Sequence, residues 1–187
     1  LTAEMIGLAA SRASGEEATD LASSAAVMVD WLAQTHGIEG AFEDHSGLGT
    51  GSRIAPREMV RLLVIAQAHG ILRPLLRTIP MVDENRERLT DPPGDVVAKT
   101  GTLNFVSTLA GFVSTPYGAD LAFVVFSADT DAREEAMDGS EDLPPGAATF
   151  NGRAKRLQQR LLQRWAVVFS GRAPAPAETV ELETAPG

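Results

Sequence analysis

Three short apolar runs, Val96 to Leu103, Val106 to Thr115 and Leu121 to Ala128, follow one another with only brief connections between them. Each is rich in Val, Leu, Phe, Ala and Thr and has the length and composition of a strand. Thr115-Pro116-Tyr117-Gly118, between the last two, fits a hairpin turn. Strands joined so closely can only pair antiparallel, so the runs predict an antiparallel meander of three strands.

The rest of the chain reads as helices and loops around that sheet. Residues 2 to 12 and 19 to 36 have helical spacing, the second with Leu21, Ala25, Met28, Val29 and Leu32 on one face, Asp20 as its cap and Gly37 as its stop. Residues 38 to 54 are Gly-rich and read as a loop with unusual backbone angles. Pro56 suits the first turn of a helix to about His69, with Met59, Leu62, Leu63 and Ala66 inward. Residues 71 to 80 predict a short helix, 83 to 95 a polar surface connection, and 129 to 149 an acidic loop. Residues 152 to 170 form an amphipathic helix through Leu157, Leu161, Leu162, Trp165 and Phe169, and Trp31 and Trp165 read as core. The Pro, Ala and Glu tail from Gly171 to Gly187 is expected to be disordered. The expected fold class is α+β, an antiparallel sheet flanked by helices, with residues 1 to 170 in one domain and the tail outside it.

Composition excludes several function classes. At 187 residues, one core is the working expectation. A net charge of −9 repels phosphate backbones and anionic lipid, which argues against nucleic acid as a partner. With no cysteine, disulfide scaffolds, thiolate nucleophiles and Cys-based zinc sites are ruled out, while cytoplasm and periplasm both remain open.

The chemistry-bearing candidate is Lys99-Thr100-Gly101-Thr102. Lysine is rare here: Lys99 and Lys155 stand against fourteen arginines. A lysine inside an apolar strand, beside a glycine that permits close approach, suggests a strand-side anion site. Lys99 would supply charge, the Thr100 and Thr102 hydroxyls would bind a carboxylate, and the Thr102 N–H would donate to an oxyanion. The plainer alternative is a lysine snorkelling from a strand end among threonines chosen for β propensity. Competing sets are weaker. Asp44-His45-Ser46 holds triad residue types, but adjacent loop side chains do not converge as a triad requires. His36, His45 and His69 lack ligand spacing, and no metal site or cofactor is expected. Asp129-Thr130-Asp131 lacks the pattern of a calcium loop. The run Arg153 to Arg164 reads as a solvated helix face.

Further stretches join the lysine motif in a resemblance. Leu1-Thr2-Ala3-Glu4, Asp44-His45-Ser46-Gly47-Leu48 with Arg53-Ile54-Ala55-Pro56, Lys99-Thr100-Gly101-Thr102-Leu103, Leu109-Ala110-Gly111-Phe112-Val113 and Leu121-Ala122-Phe123 resemble the class C, DacB-type penicillin-binding proteins, which are serine D-alanyl-D-alanine carboxypeptidases and endopeptidases. The likeness runs from Leu1 to about Trp165. It implies the C-terminal part of a penicillin-binding-protein or β-lactamase-like transpeptidase domain, acting through a serine acyl-enzyme in the periplasm or another extracytoplasmic space. The implied partners are a peptidoglycan peptide ending in D-Ala-D-Ala, β-lactam antibiotics and the N-terminal portion of the same protein. Lys99 and Thr102 are the implied catalytic residues, with Thr100, Gly101 and Thr102 binding substrate.

The departures are specific. The family's Ser-x-x-Lys is not found in these residues, since Val96 and Gly152 stand three places before the two lysines. Its Ser-x-Asn is expected immediately before Leu1. His45 replaces an expected Gly and Gly49 an expected Ser. A β-lactamase fits the flanking stretches less well, and the alternative from another class is a non-catalytic peptidoglycan- or protein-binding module of the same fold.

Overall fold

Asp20 shows how local chemistry sets the helical part. Its carboxylate accepts the Ser23 N–H at 2.8 Å while the Ser23 hydroxyl accepts the Asp20 N–H at 3.1 Å, a reciprocal cap that starts the second helix. Gly37, at φ +60, ends that helix in the left-handed region. The computed structural model describes residues 1–116, 118, 120–138 and 142–170. In chain order its elements are α1 (Thr2–Ala13), α2 (Leu21–His36), β1 (Gly40–Ala41), β2 (Arg53–Ile54), α3 (Pro56–Ala68), a 3₁₀ turn (Arg73–Leu75), β3 (Arg77–Thr78), β4 (Asp95–Leu103), β5 (Val106–Ser114), β6 (Asp120–Ala128), α4 (Thr130–Asp138) and α5 (Ala147–Ser170).

The meander is the centre of a four-stranded antiparallel sheet in the order β3-β4-β5-β6. β5 pairs without a break from Asp95↔Ser114 to Leu103↔Val106 on one side and from Val106↔Ala128 to Ser114↔Asp120 on the other. Gly111 lies opposite Ala98, and a Cβ there would run into the Val97 carbonyl and Ala98. Helices cover both faces. Against one lies α5, whose buried stripe is Ala147, Ala154, Gln158, Leu162 and Ala166. With Val96, Ala98, Leu109, Val113, Phe123 and Val125, this stripe's Leu162 and Ala166 make the core. The small stripe residues let the helix sit close to the sheet, and the one polar member, Gln158, donates to the Ser107 hydroxyl at 3.1 Å. On the other face, α3 packs on β6, and the Arg73 guanidinium lies 5.4 Å over the buried Phe112 ring while pairing with Asp120 at 2.9 Å.

Several expectations change. Residues 71 to 80 are a 3₁₀ turn followed by β3, because Pro74 and Pro80 leave room for only one turn before the chain pairs with β4. Within 129 to 149, residues 130–138 are helical. Asp129 caps them by accepting the Ala132 N–H at 3.1 Å, and Ala, Arg, Glu and Met then favour helix. The last helix starts at Ala147, five residues ahead of its expected start. Trp31 is half exposed, set edge-on against His36 at 4.9 Å, so it is not core. Leu157 is likewise half exposed rather than inward. Tyr117 and the tail from Gly171 lie outside the described residues, though Gly118 donates to the Thr115 carbonyl at 3.0 Å in the β5–β6 turn.

Leu162→Ala should lower stability by about 2 to 5 kcal/mol, because it opens a cavity at the centre of the α5–sheet layer. Leu157→Ala should cost less than about 1 kcal/mol. Urea midpoints of the two variants test this, and equal losses would refute the core assignment.

Candidate active site

The geometry of the lysine strand follows from its hydrogen-bond phase. The Ile79 N–H donates to the Val96 carbonyl, so even-numbered residues of β4 turn their backbone groups toward β3 and odd-numbered ones toward β5. β3 reaches only as far as Ala98, opposite Arg77. Thr100 and Thr102 therefore present their N–H and C=O groups to an edge that no strand covers among the described residues. An oxyanion or an extended peptide needs donors of this kind.

Side chains alternate across the same strand. Val96, Ala98, Thr100 and Thr102 face α5, where the two threonines line a groove of about 960 Å³. Lys99 and Gly101 face the opposite side. Lys99 is exposed, which differs from the expected lysine within an apolar strand, and its Nζ donates to the Thr100 carbonyl at the open edge. Gly101 lies opposite Thr108, whose hydroxyl occupies the space a Cβ would need. The structure thus brings the four residues to one edge but not to one face: the ammonium comes from one side, the two hydroxyls from the other, and the Thr102 N–H lies between.

The groove's far wall is α5 and the segment after β3. Gln159 accepts the Val82 N–H at 3.0 Å and donates to the Pro80 carbonyl at 3.1 Å, and Gln163 donates to the Val82 carbonyl at 2.8 Å. Lys155 lines this groove rather than the edge beside Lys99.

A second assembly joins two stretches far apart in sequence. Glu4 is buried on α1 and accepts the His45 N–H at 3.1 Å and the Ser46 N–H at 3.0 Å. Asp44 accepts the N–H groups of Gly47, Leu48 and Gly49 at 2.8, 3.1 and 2.6 Å, so the Gly-rich loop closes around one carboxylate. Ser11 and Ser24 are 2.8 Å apart at their hydroxyls, and Ser24 is 2.9 Å from His45 Nε2. The His45 ring fills the space beside Gly7, where a Cβ would collide with it. The Asp44, His45 and Ser46 side chains do not form a triad, since Ser46 donates to Asp44 while His45 turns to Ser24. His36 and His69 sit at the ends of α2 and α3. Among the described residues no acidic or histidine cluster could hold a metal, and no helix is long and apolar enough to cross a membrane.

The roles of Glu4, Ser11 and Ser24 were invisible to sequence reasoning. A carboxylate whose acceptors saturate two loop N–H groups leaves no local signature, because its partners lie some forty residues away. The available hint was Gly7, a helix-interior glycine with no capping role.

Residues 1–143 match the D-Ala-D-Ala carboxypeptidase 3 (S13) family. The chain belongs to that family. Over 90 residues it is 37% identical to the D-alanyl-D-alanine carboxypeptidase DacB of Haemophilus influenzae, covering 44% of this chain and 19% of DacB. Penicillin-binding protein 4 (DacB) of the same organism, solved in complex with a β-lactam, matches with a TM-score of 0.59 at 26% identity, over 86% of this chain and 37% of that one. A predatory endopeptidase of Bdellovibrio bacteriovorus, solved with an immunity protein, shares the fold with a TM-score of 0.55 at 21% identity, over 91% of this chain and 41% of that one. The S13 chain described here therefore spans well under half the length of these relatives. Its fold is the α+β fold of a penicillin-binding protein.

The loop clamp has a pH signature. Hydrogen bonds from Ser46 and from the His45 N–H hold the Glu4 carboxyl below its ordinary 4.5. Burial pushes Asp44 up, but the N–H groups of Gly49 and Gly47 outweigh it and hold the carboxyl below 3.8. Carboxyls lowered on folding add stability above their ordinary values and lose it as pH falls through the lowered ones. Glu4→Gln puts a donor against one of the two loop N–H groups. It should lower Tm at pH 7 and flatten the loss of stability as pH falls below about 4.5. An unchanged acid limb in thermal melts would refute the clamp.

Proposed function

We propose that this chain is the Lys-Thr-Gly-bearing part of a serine D-alanyl-D-alanine carboxypeptidase that works on peptidoglycan stem peptides in an extracytoplasmic space and is acylated by β-lactams. The observation that supports the reading is the open β4 edge: in an S13 chain, Lys99 donates to the Thr100 carbonyl there, and the Thr102 N–H points to the side that no strand covers among the described residues.

The peptide's end lies along this edge. Lys99 pairs with the terminal carboxylate from one face, and the Thr100 and Thr102 hydroxyls reach it from the other. A serine on sequence outside this chain, deprotonated by its lysine partner, attacks the penultimate D-Ala carbonyl carbon. The Thr102 N–H stabilises the oxyanion, the C–N bond breaks, and the terminal D-Ala leaves with a proton on its amine. Water then hydrolyses the ester, releasing the shortened peptide and restoring the serine. A β-lactam follows the first half of this path. Endopeptidase cleavage uses the same steps with an amide-linked leaving strand.

The second reading, a non-catalytic peptidoglycan-binding module, is favoured by the lack of Ser-x-x-Lys in these residues. Fluorescent penicillin separates the two. The complete polypeptide should be labelled and this chain alone should not. An unlabelled complete polypeptide would favour the module.

In the complete polypeptide, Lys99→Ala should slow acylation about 10²-fold or more, as the loss of a major electrostatic donor does. Lys155→Ala should change it little. Equal effects would remove Lys99 from the anion site. Thr102→Val keeps the N–H but deletes a hydrogen bond to a charged group. It should reduce kcat/KM about 10 to 100-fold on peptides with a free terminal carboxylate. Peptides capped there should lose much less, and equal losses would show that the hydroxyl is not a carboxylate ligand.

A further inference from the structure

Three cations meet in the groove beside the lysine strand without a carboxylate to answer them. The groove's lining carries Arg86, Lys155, Arg156 and Arg160 against Asp83 and Glu84, in a chain whose net charge is −9. Both acids are already engaged. Glu84 pairs with Arg160 at 3.1 Å, and the Asp83 carboxylate accepts the Asn85 and Glu87 N–H groups at 2.9 and 2.8 Å. The side chains of Arg86, Lys155 and Arg156 form no ion pair or hydrogen bond among the described residues.

Arg86 is held there at a cost. It stands at φ +68 in the turn closed by the Val82↔Arg88 bridge, a backbone region in which glycine or asparagine is the ordinary choice. Its guanidinium reaches across the groove to α5, where Nη2 lies 3.9 Å from the point that a Cβ on Gly152 would occupy. Lys155 and Arg156 follow three and four places along the helix, on the face that carries Gly152. Beside them the Asn151 Oδ1 is buried with no partner, while its Nδ2 donates to the Leu103 carbonyl at 2.9 Å. Backbone strain and like charges gathered at one point are a cost that a bound anion offsets, and the spare amide oxygen suits a donor on the same molecule.

We infer that this groove holds the leaving strand of a cross-linked peptide, and that Arg86, Lys155 and Arg156 select leaving strands carrying a carboxylate beyond the residue at the scissile bond. The Thr100 and Thr102 side chains line the groove and are also the proposed seat of the terminal carboxylate, so a chain that continues from that residue on the threonine side runs into the groove. Ile79, Leu89 and Leu109 give it an apolar floor, and Asn151 accepts one of its N–H groups. A lone terminal D-Ala carries no second carboxylate, so the three cations bear on cross-link cleavage rather than on D-Ala release. The inference rests on the carboxypeptidase reading above and agrees with the small effect expected of Lys155→Ala on acylation by penicillin.

The test gives the complete polypeptide two peptides with an amide-linked leaving strand, one with its distal carboxylate free and one with that carboxylate amidated. The free acid should be cleaved with a kcat/KM about tenfold or more higher, and the preference should shrink as salt is raised. Arg86→Gly relieves the backbone, so Tm should stay equal or rise while the preference falls about threefold or more. Lys155→Gln combined with Arg156→Gln should abolish it. A wild-type enzyme without the preference, or a preference that survives these substitutions, overturns the proposal. Binding is read without turnover by acylating amines and mapping Lys155. The acid-bearing leaving strand alone should slow its modification about tenfold, and the amidated one should not. If Lys155 is unreactive in the complete polypeptide before any peptide is added, another segment of that polypeptide fills the groove and the proposal fails. Penicillin labelling of the same sample is read separately. Labelling with neither preference nor protection sinks the leaving-strand site alone, whereas protection of Lys155 without labelling sinks the carboxypeptidase reading and leaves the acid-binding groove.

Discussion

The register of β4 on β5 is the constraint on which the rest depends. Gly111 sits opposite Ala98, where the two backbones approach too closely for any side chain. A slip of one residue would reverse the face of every side chain in β4. Lys99 would then point at Leu162 and Ala166, the Thr100 and Thr102 N–H groups would enter the ladder, and the open edge would offer Lys99 and Gly101 instead. The same pairing that buries Val96 and Ala98 thus decides which backbone donors remain free for a ligand. Core packing and the candidate chemistry are two consequences of one alignment.

Much of this was legible because it is local. Strand runs, the Asp20 cap, the Gly37 stop and the Pro56 helix start depend on residues within a few positions of one another. The lysine motif stands out as a pattern for the same reason. Which face each of its side chains takes was not, because that depends on β3 pairing in one phase and stopping at Ala98. The exposure of Lys99 also lies beyond sequence reasoning: an apolar strand looks buried along its length, yet the cover on that face is local to Phe112, Arg73 and α3. The exposure of Trp31 is not legible because helical spacing shows a common face without showing whether anything packs on it. The helix at 130–138 is hard to read because its acidic composition also suits a solvated loop, and only the Asp129 cap marks its start.

Glu4 illustrates how a loop with three glycines can be held in one shape. Residues 44–51 have few apolar side chains to bury, so their order comes from backbone donors directed at three carboxylates, Glu43 and Asp44 from the loop itself and Glu4 from α1. His45 adds a third tie, through Ser24 to Ser11 and into the notch at Gly7. Where the resemblance leads one to expect glycine, this chain has a side chain that locks the loop to the helix pair. The replacement is therefore compatible with the loop's shape only because Gly7 and Ser24 make space and supply a partner.

The two edges of the sheet differ in their chemistry. The β4 edge is polar at its open end, with Lys99 and two threonines, and a lysine there resists accidental strand pairing while attracting an anion. The β6 edge is apolar, uninterrupted and flanked by exposed leucine and valine from α5, so that solvent is its least favourable neighbour. A ligand that binds and leaves needs the first kind of edge, because its affinity must come from a few directed charges and donors that release it again. The sheet thus shows a polar edge carrying an ammonium at β4 and an apolar edge at β6.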